Sequence, residues 1–243
     1  MWTGDNSSWW EHLDLAIREC LNLSLSGVAF CRPDIGGFVG DCTPELYARW
    51  IEAGVFFPFC RTHSSLGNAR QEPWSFGPEV ETIAKHAIQL RYRLLPWLYT
   101  LFCESTQDGT PIMRPLWWNH PDEETAHRST DAFLLGDALL VAPITAAGAR
   151  SRIVYLPQGS CYEVRTGTSF EGGQTVTAEA PLETIPLFLR AGQVLPMVEP
   201  ASSTEVLDET SVTLLVTPGE GESRWYQDAG EGFGYRDQER SIR

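Results

Sequence analysis

The sequence has almost no lysine and no long hydrophobic run. Its 243 residues include 18 basic and 32 acidic ones, and Lys85 is the one lysine. The net charge of −14 argues against a nucleic-acid backbone or an anionic membrane surface as a partner, because both are bound by a basic face. Apolar stretches such as residues 139–149 are far shorter than the roughly 18 residues of a membrane-spanning helix. With 42% hydrophobic residues, the chain is expected to be globular.

Cysteines are few and far apart. The six stand at positions 20, 31, 42, 60, 103 and 161, so no two are closer than eleven residues. No CxxC pair or Cys/His cluster occurs, which argues against a zinc site and favours buried, reduced thiols. Reduced thiols, and the lack of a signal-peptide pattern in the opening residues, predict a cytoplasmic location.

The first 109 residues have the pattern of alternating helices and strands. Apolar residues recur at helical spacing in three places, and two short apolar runs between them predict strands buried on both faces. The predicted helices begin near residue 10, where residues 8–11 (SWWE) have the form of a capping box, at Thr43-Pro44, and at Val80. The predicted strands are residues 27–31 and 55–60.

From about residue 111 the pattern changes to short strands separated by turns rich in glycine and proline. The predicted strands are residues 111–116, 139–143, 153–156, 175–178, 187–189 and 212–216. A run of strands after a run of strand–helix units predicts a separate all-β part, most simply a sandwich. The predicted fold class is therefore α/β followed by all-β.

Polar side chains cluster at three predicted loop positions. Asp5 precedes the first helix, Asp34 follows the strand at 27–31, and Arg61 and His63 follow the strand at 55–60. Asp5 to Asp34 and Asp34 to His63 are both separations of 29 residues, close to one strand–helix unit of about 30 residues, which predicts that the three residues share one rim of the sheet. Each residue also has a structural interpretation: Asp5 as a helix cap, Asp34 as a turn former and His63 as a surface loop residue.

Two aromatic residues strengthen the functional interpretation of this rim. Trp2 and Phe38 lie close to Asp5 and Asp34 in the sequence. Carboxylate and imidazole groups bind sugar hydroxyls, while an aromatic ring covers the apolar face of a sugar. Taken together, these residues predict a sugar-binding pocket.

At these residues the sequence resembles glycoside hydrolase family 31, the α-glucosidase and α-xylosidase family of barrel enzymes. Residues 2–6 (WTGDN) match the family motif WxGDN, whose aspartate is the general acid/base, which implies that role for Asp5. Residues 34–38 (DIGGF) match its D[IV]xGF loop. Residues 57–63 (FPFCRTH) resemble its FFRxH segment, whose histidine binds sugar hydroxyls, which implies that role for His63.

Further motifs extend the resemblance along nearly the whole chain, in the family's order. They are residues 90–96 (LRYRLLP), 133–143 (FLLGDALLVAP), 185–192 (IPLFLRAG) and 225–235 (WYQDAGEGFGY). The resemblance implies three parts. Residues 1–111 would form the last part of a (β/α)8 TIM barrel, residues 112–200 a proximal β-sandwich, and residues 201–243 the incomplete start of a distal β-domain.

The catalytic nucleophile of the family is an aspartate in a WxDMxE-type motif upstream of WxGDN, and the sequence contains nothing like it. The resemblance therefore implies a fragment of a retaining α-glycosidase that carries the acid/base, needs the missing N-terminal barrel half, and is inactive alone. The implied substrate is an α-linked oligosaccharide with terminal glucose, and no metal or organic cofactor is expected.

The resemblance also implies which residues would surround the sugar. Phe38 and Trp2 would wall the sugar site, and Arg61 and Asp34 would position His63 or form a purely structural ion pair. An α-xylosidase, another activity of the family, or a non-catalytic carbohydrate-binding or interaction role remains open.

Overall fold

The structure is a computed structural model that describes residues 1–237 and 240–242. Helices dominate its first part: α1 (Trp10–Leu25), α2 (Pro44–Gly54) and α3 (Pro78–Asp108), followed later by the short α4 (Glu124–Arg128). The first three lie where the sequence predicts helices. Thr43 caps α2, since its hydroxyl oxygen accepts a hydrogen bond from the Leu46 amide at 3.4 Å. None of the helices in these described ranges has the length and hydropathy needed to cross a membrane.

Three extended segments lie side by side and parallel between these helices. Residues 1–3 pair with residues 30–32, since the Thr3 amide donates to the Arg32 carbonyl at 2.9 Å. Residues 31–35 pair in turn with residues 59–62, since the Ile35 amide donates to the Arg61 carbonyl at 3.1 Å. The three segments are joined by α1 and α2, which is the strand–helix alternation that the sequence predicts.

The predicted strand at residues 55–60 is wrong. The amides of its first three residues still donate to carbonyls of α2, at Ile51, Ala53 and Gly54, and pairing with a neighbouring segment begins only at Phe59. The carbonyls of residues 55, 57 and 58 accept from the guanidinium of Arg91 on α3 at 2.7–2.9 Å instead of from a strand. These apolar residues are buried all the same, and a short buried run does not distinguish a strand from a turn.

The predicted strand at residues 27–31 is also displaced, and the predicted capping box is not formed. The Val28 amide donates to the Leu23 carbonyl at the end of α1, and pairing begins at Phe30, whose carbonyl accepts from the terminal amine of Met1. Ser8 does not cap α1, because its hydroxyl donates to the Gly40 carbonyl at 2.9 Å. Ser8 therefore joins two loops rather than starting a helix.

The second part of the chain is built from short strands, as predicted. The strands are β1 (Met113–Arg114), β2 (Phe133–Leu135), β3 (Leu139–Val141), β4 (Ser151–Leu156), β5 (Ser160–Glu163), β6 (Ser169–Glu171), β7 (Gln174–Glu179), β8 (Leu187–Arg190), β9 (Val194–Val198), β10 (Val212–Val216), β11 (Tyr226–Gln227) and β12 (Ser241–Ile242). The predicted strand at 111–116 shrinks to two residues, because Pro111 and Pro115 flank it and have no amide to donate.

These strands form one larger sheet and three antiparallel pairs. The larger sheet has the order β1-β2-β3-β8-β5-β6, and β4 pairs with β7. A hydrophobic core lies between the larger sheet and the β4–β7 pair, with Leu134 and Phe188 from the larger sheet and Val154 from β4. The other core extends from α1, α2 and α3 to the opposite face of the larger sheet, where Phe133 lies. The helical part followed by the all-β part confirms the predicted fold class.

The last strands pack against the helical part. β9 pairs with β10 over five residues, so this hairpin crosses residue 200, where the sequence places the end of the second part. The Tyr226 amide of β11 donates to the Thr100 hydroxyl of α3 at 3.0 Å. The predicted boundaries at 111 and 200 stay predictions, and residues 238, 239 and 243 of the predicted third part lie outside the described residues.

Candidate active site

A cavity of about 290 Å³ opens where the three parallel segments end. Its lining consists of residues from each segment and the loops that follow: Trp2, Asp5, Arg32, Asp34, Phe38, Arg61 and His63. The structure therefore brings together all six residues that the sequence analysis predicts for the site, which are all of the lining residues except Arg32. Their roles stay predictions, since the positions alone do not assign chemistry.

Hydrogen bonds of a buried asparagine hold the first two loops of the cavity together. The Asn6 amide nitrogen donates to the Asp34 carbonyl at 2.9 Å, and its oxygen accepts from the Phe38 amide at 3.0 Å. The loops also approach closely at Gly37, where a Cβ atom would lie 2.5 Å from the Ser8 amide nitrogen. Gly37 has φ +90°, so glycine satisfies both the backbone conformation and the close contact. This local structure places Asp5 next to the loop that carries Asp34.

Asp34 is the most deeply buried charge of the cavity. Its carboxylate is 1% exposed, and its Oδ1 atom forms ion pairs with Arg32 and, at 3.4 Å, with Arg61. The Arg32 guanidinium also lies over the Phe59 ring, 4.8 Å from its centroid. A buried carboxylate needs such partners, because an unpaired charge in the interior is strongly destabilising. Asp34 is therefore part of a built ionic cluster and not a simple turn former.

The remaining lining of the cavity is aromatic and open. The Phe38 and His63 rings lie with their centroids 5.2 Å apart at an interplanar angle of 31°. Trp2 is 48% exposed, and Asp5 and His63 are also exposed at the mouth. An exposed carboxyl group, an imidazole and two aromatic surfaces thus face one accessible space. This arrangement can hold a ring with hydroxyl groups and transfer a proton to or from it.

Sequence reasoning missed Arg32. Its side chain lines the cavity, although the residue itself is 6% exposed. A signal was available in the sequence, because Arg32 is a charge directly after the apolar run 27–31 and two residues before Asp34. A charge at such a position needs a partner when it is buried.

A metal site is not apparent in the part of the chain that the structure describes. Residues 1–237 and 240–242 contain no group of three or more His, Cys, Asp or Glu side chains arranged to hold a metal ion. The ionisable groups of the cavity are two arginines, two aspartates and one histidine. This set suits binding of hydroxyl groups and proton transfer.

Two family models match the chain in succession. The "Glycosyl hydrolases family 31 TIM-barrel domain" matches residues 1–101, and the "Glycosyl hydrolase family 31 C-terminal domain" matches residues 109–195. The chain belongs to glycoside hydrolase family 31. The sequence resemblance is thereby confirmed, and the three parallel segments are part of the family 31 barrel.

Individual relatives in family 31 show the same likeness over nearly the whole chain. "Alpha-glucosidase 2" of Bacillus thermoamyloliquefaciens is 43% identical over 237 residues, which are 97% of this chain and 30% of that protein. The structure of a glucosidase II alpha subunit bound to Glc1Man2 superimposes with a TM-score of 0.94 at 34% identity, covering 100% of this chain and 27% of that one.

An α-xylosidase of the family is equally similar. The structure of the family 31 α-xylosidase from Xanthomonas citri gives a TM-score of 0.93 at 34% identity and covers 99% of this chain and 28% of that one. The chain spans less than a third of the length of these three relatives.

Proposed function

We propose that this chain supplies the acid/base side of a retaining α-glycosidase active site that releases terminal α-linked glucose from oligosaccharides. The observation that carries the proposal is the single cavity in which Asp5 of the WTGDN motif meets His63 and Phe38. Membership of family 31 supports the reaction class, and the α-glucosidase among its relatives supports the substrate. The Glc1Man2 ligand of the glucosidase II structure supports a carbohydrate substrate.

The proposed mechanism is a double displacement with Asp5 as general acid and then general base. A retaining glycosidase uses two carboxyl groups about 5–5.5 Å apart, one of which attacks the anomeric carbon. Asp5 protonates the leaving oxygen in the first step and takes a proton from water in the second. The nucleophilic carboxylate comes from a segment outside these 243 residues. The chain alone is therefore inactive in this proposal, and measurable α-glucosidase turnover by the purified chain would contradict it.

The other cavity residues bind the sugar in this proposal. His63 contacts ring hydroxyls, and Trp2 and Phe38 cover the apolar face of the ring. Contacts of His63 strengthen as positive charge develops at the anomeric centre, so they contribute to the transition state more than to the ground state. Arg61, whose side chain is 40% exposed, extends the polar side of the pocket.

An α-xylosidase is the second candidate, because the Xanthomonas citri enzyme is as similar in structure as the glucosidase. The residues of the cavity do not separate the two activities. Turnover of maltose and of its xylosyl analogue by the complete enzyme distinguishes them. Here the complete enzyme means this chain together with the segment that supplies the nucleophile.

The decisive experiment for Asp5 compares two leaving groups. In the complete enzyme, Asp5→Asn is expected to lower kcat/KM on maltose by about 10²–10⁴, the range for loss of a general acid. The loss on α-glucosyl fluoride should be much smaller, since fluoride leaves without a proton. Asp14→Asn is the matched control: Asp14 is a half-buried carboxylate of α1 that pairs with Arg18 outside the cavity, and its substitution should leave both values unchanged. Equal losses on both substrates would refute the acid role of Asp5.

A further inference from the structure

Arg32 lines the cavity, although the residue is only 6% exposed, and the mechanism proposed above does not use it. Its backbone pairs with the segment that ends at Asp5, since its carbonyl accepts from Thr3 and its amide donates to Met1. Its guanidinium lies between the Phe59 ring and the carboxylate of Asp34. The backbone pairing, the Phe59 ring and the Asp34 carboxylate together fix the position of Arg32, whose side chain is 7% exposed.

The two arginines of the cavity are bound to Asp34 unequally. Both reach the same oxygen, Oδ1, but Arg32 makes the close contact, whereas Arg61 Nη2 lies 3.4 Å away. The exposed fraction of the side chain differs in the same sense, 7% for Arg32 and 40% for Arg61. The second carboxylate oxygen, Oδ2, is buried and has no hydrogen-bond partner among the described residues. Arg32 thus neutralises Asp34, and Arg61 is held loosely at the edge of the cavity.

We propose that Arg32 is a positioning residue: by neutralising Asp34, it keeps the Arg61 guanidinium directed to the substrate. This inference rests on the proposed function. A buried carboxylate without a cation is strongly unfavourable. If Arg32 loses its charge, Arg61 is the other cation in contact with Asp34, and Oδ2 offers a second acceptor for a bidentate pair. Arg61 then turns inward and its contact with the sugar hydroxyls is lost.

A double-mutant cycle in the complete enzyme tests this coupling. Arg32→Gln is expected to lower kcat/KM on maltose about tenfold, and Arg61→Gln by a similar factor. With Asp34→Asn in the background, which leaves no buried charge to compensate, Arg32→Gln should lower kcat/KM no further, because Arg32 acts on Arg61 through Asp34. Additive losses, or an unchanged kcat/KM in Arg32→Gln, would overturn the proposal. Arg114→Gln is the matched control: Arg114 is an equally buried arginine, paired with Asp137 in the sandwich. It should lower Tm without changing kcat/KM.

A second measurement does not depend on whether Arg32→Gln folds. Since Arg32 makes the close contact that neutralises Asp34 in this proposal, Arg61→Gln should lower kcat/KM while leaving Tm within about 1 °C of the wild type. A fall of several degrees in Arg61→Gln would show that Arg61 is a structural partner of Asp34, and the proposal would be wrong. Failure of the proposed function gives a different result, a wild-type complete enzyme that turns over neither maltose nor its xylosyl analogue.

Discussion

At the scale of single residues, His63 is the side chain whose proposed role is most directly measurable. Its ring lies beside Phe38 at the mouth of the cavity. In the complete enzyme, His63→Ala is expected to lower kcat/KM by one to a few factors of ten, each worth about 1.4 kcal/mol of transition-state binding. His86→Ala, at an exposed site on α3, is the control and should have no effect. An unchanged kcat/KM in His63→Ala would make His63 a surface loop residue.

Residues of the cavity were predictable because they follow strand–helix units of regular length. Asp5, Asp34 and His63 lie one unit apart, and parallel segments bring such positions to one edge. Arg32 was not predictable in this way, because it stands at the end of an apolar run and not in a loop. Ser8 was misread for a related reason: a capping box depends on local spacing, whereas its hydroxyl binds Gly40, 32 residues away.

At the scale of elements, the start of α2 gives a prediction about stability. Thr43→Ala removes the oxygen that accepts from the Leu46 amide, and loss of such a cap costs about 1 kcal/mol. Thermal unfolding of the complete enzyme should therefore show a lower Tm. Thr82→Ala in the first turns of α3 is the control, since its exposed hydroxyl only donates to the Pro78 carbonyl of the same helix. A Tm equal to that of the wild type would show that water replaces the cap without cost.

Helices were predictable from periodicity, whereas the barrel strands were not. The run at 55–60 has the composition of a strand, but Arg91, more than 30 residues later, binds its carbonyls and keeps it in a turn. In the second part, the sequence analysis did not predict β2, β5, β6, β9, β11 or β12. Of these, β5 has four residues and no alternating apolar pattern, so it depends on pairing with β6 and β8. In both places long-range contacts decide the local structure.

At the scale of the whole molecule, one buried arginine joins the helical part to the sandwich. Arg49 on α2 is 1% exposed, and its guanidinium donates to four carbonyls of the sandwich, at residues 149, 180, 181 and 184, at 2.7–3.1 Å. It also pairs with Glu52 on the next turn of α2, at 3.0 Å. The two parts therefore meet around a buried ion pair. Its partners in the sandwich lie at least 100 residues further along the chain, so no local sequence pattern predicts the interface.

This interface makes the stability of the folded molecule depend on pH. Burial raises the pKa of Glu52 to about 7 from its ordinary value of 4.5, against the opposing effect of Arg49, and Glu183 raises it further. The folded state therefore binds a proton between pH 4.5 and 7 that the unfolded state has released, and stability falls as the pH rises through this window. At about 1.4 kcal/mol per pKa unit, the loss is on the order of 3 kcal/mol.

Glu52→Gln resembles the protonated form of Glu52, so it should remove this fall in stability with rising pH. Thermal unfolding of the complete enzyme at pH 5 and at pH 7.5 measures the effect. The fall in Tm between these two pH values is expected to be larger in the wild type than in Glu52→Gln. Glu45→Gln is the control, because Glu45 pairs with Arg150 at the edge of the same interface, and that pair lowers its pKa. The Glu45 contribution therefore disappears only as the pH falls below its ordinary range, so Glu45→Gln should keep the slope between pH 5 and 7.5. The same slope in Glu52→Gln and the wild type would mean that Glu52 stays ionised beside Arg49, and the pH dependence would belong to other groups.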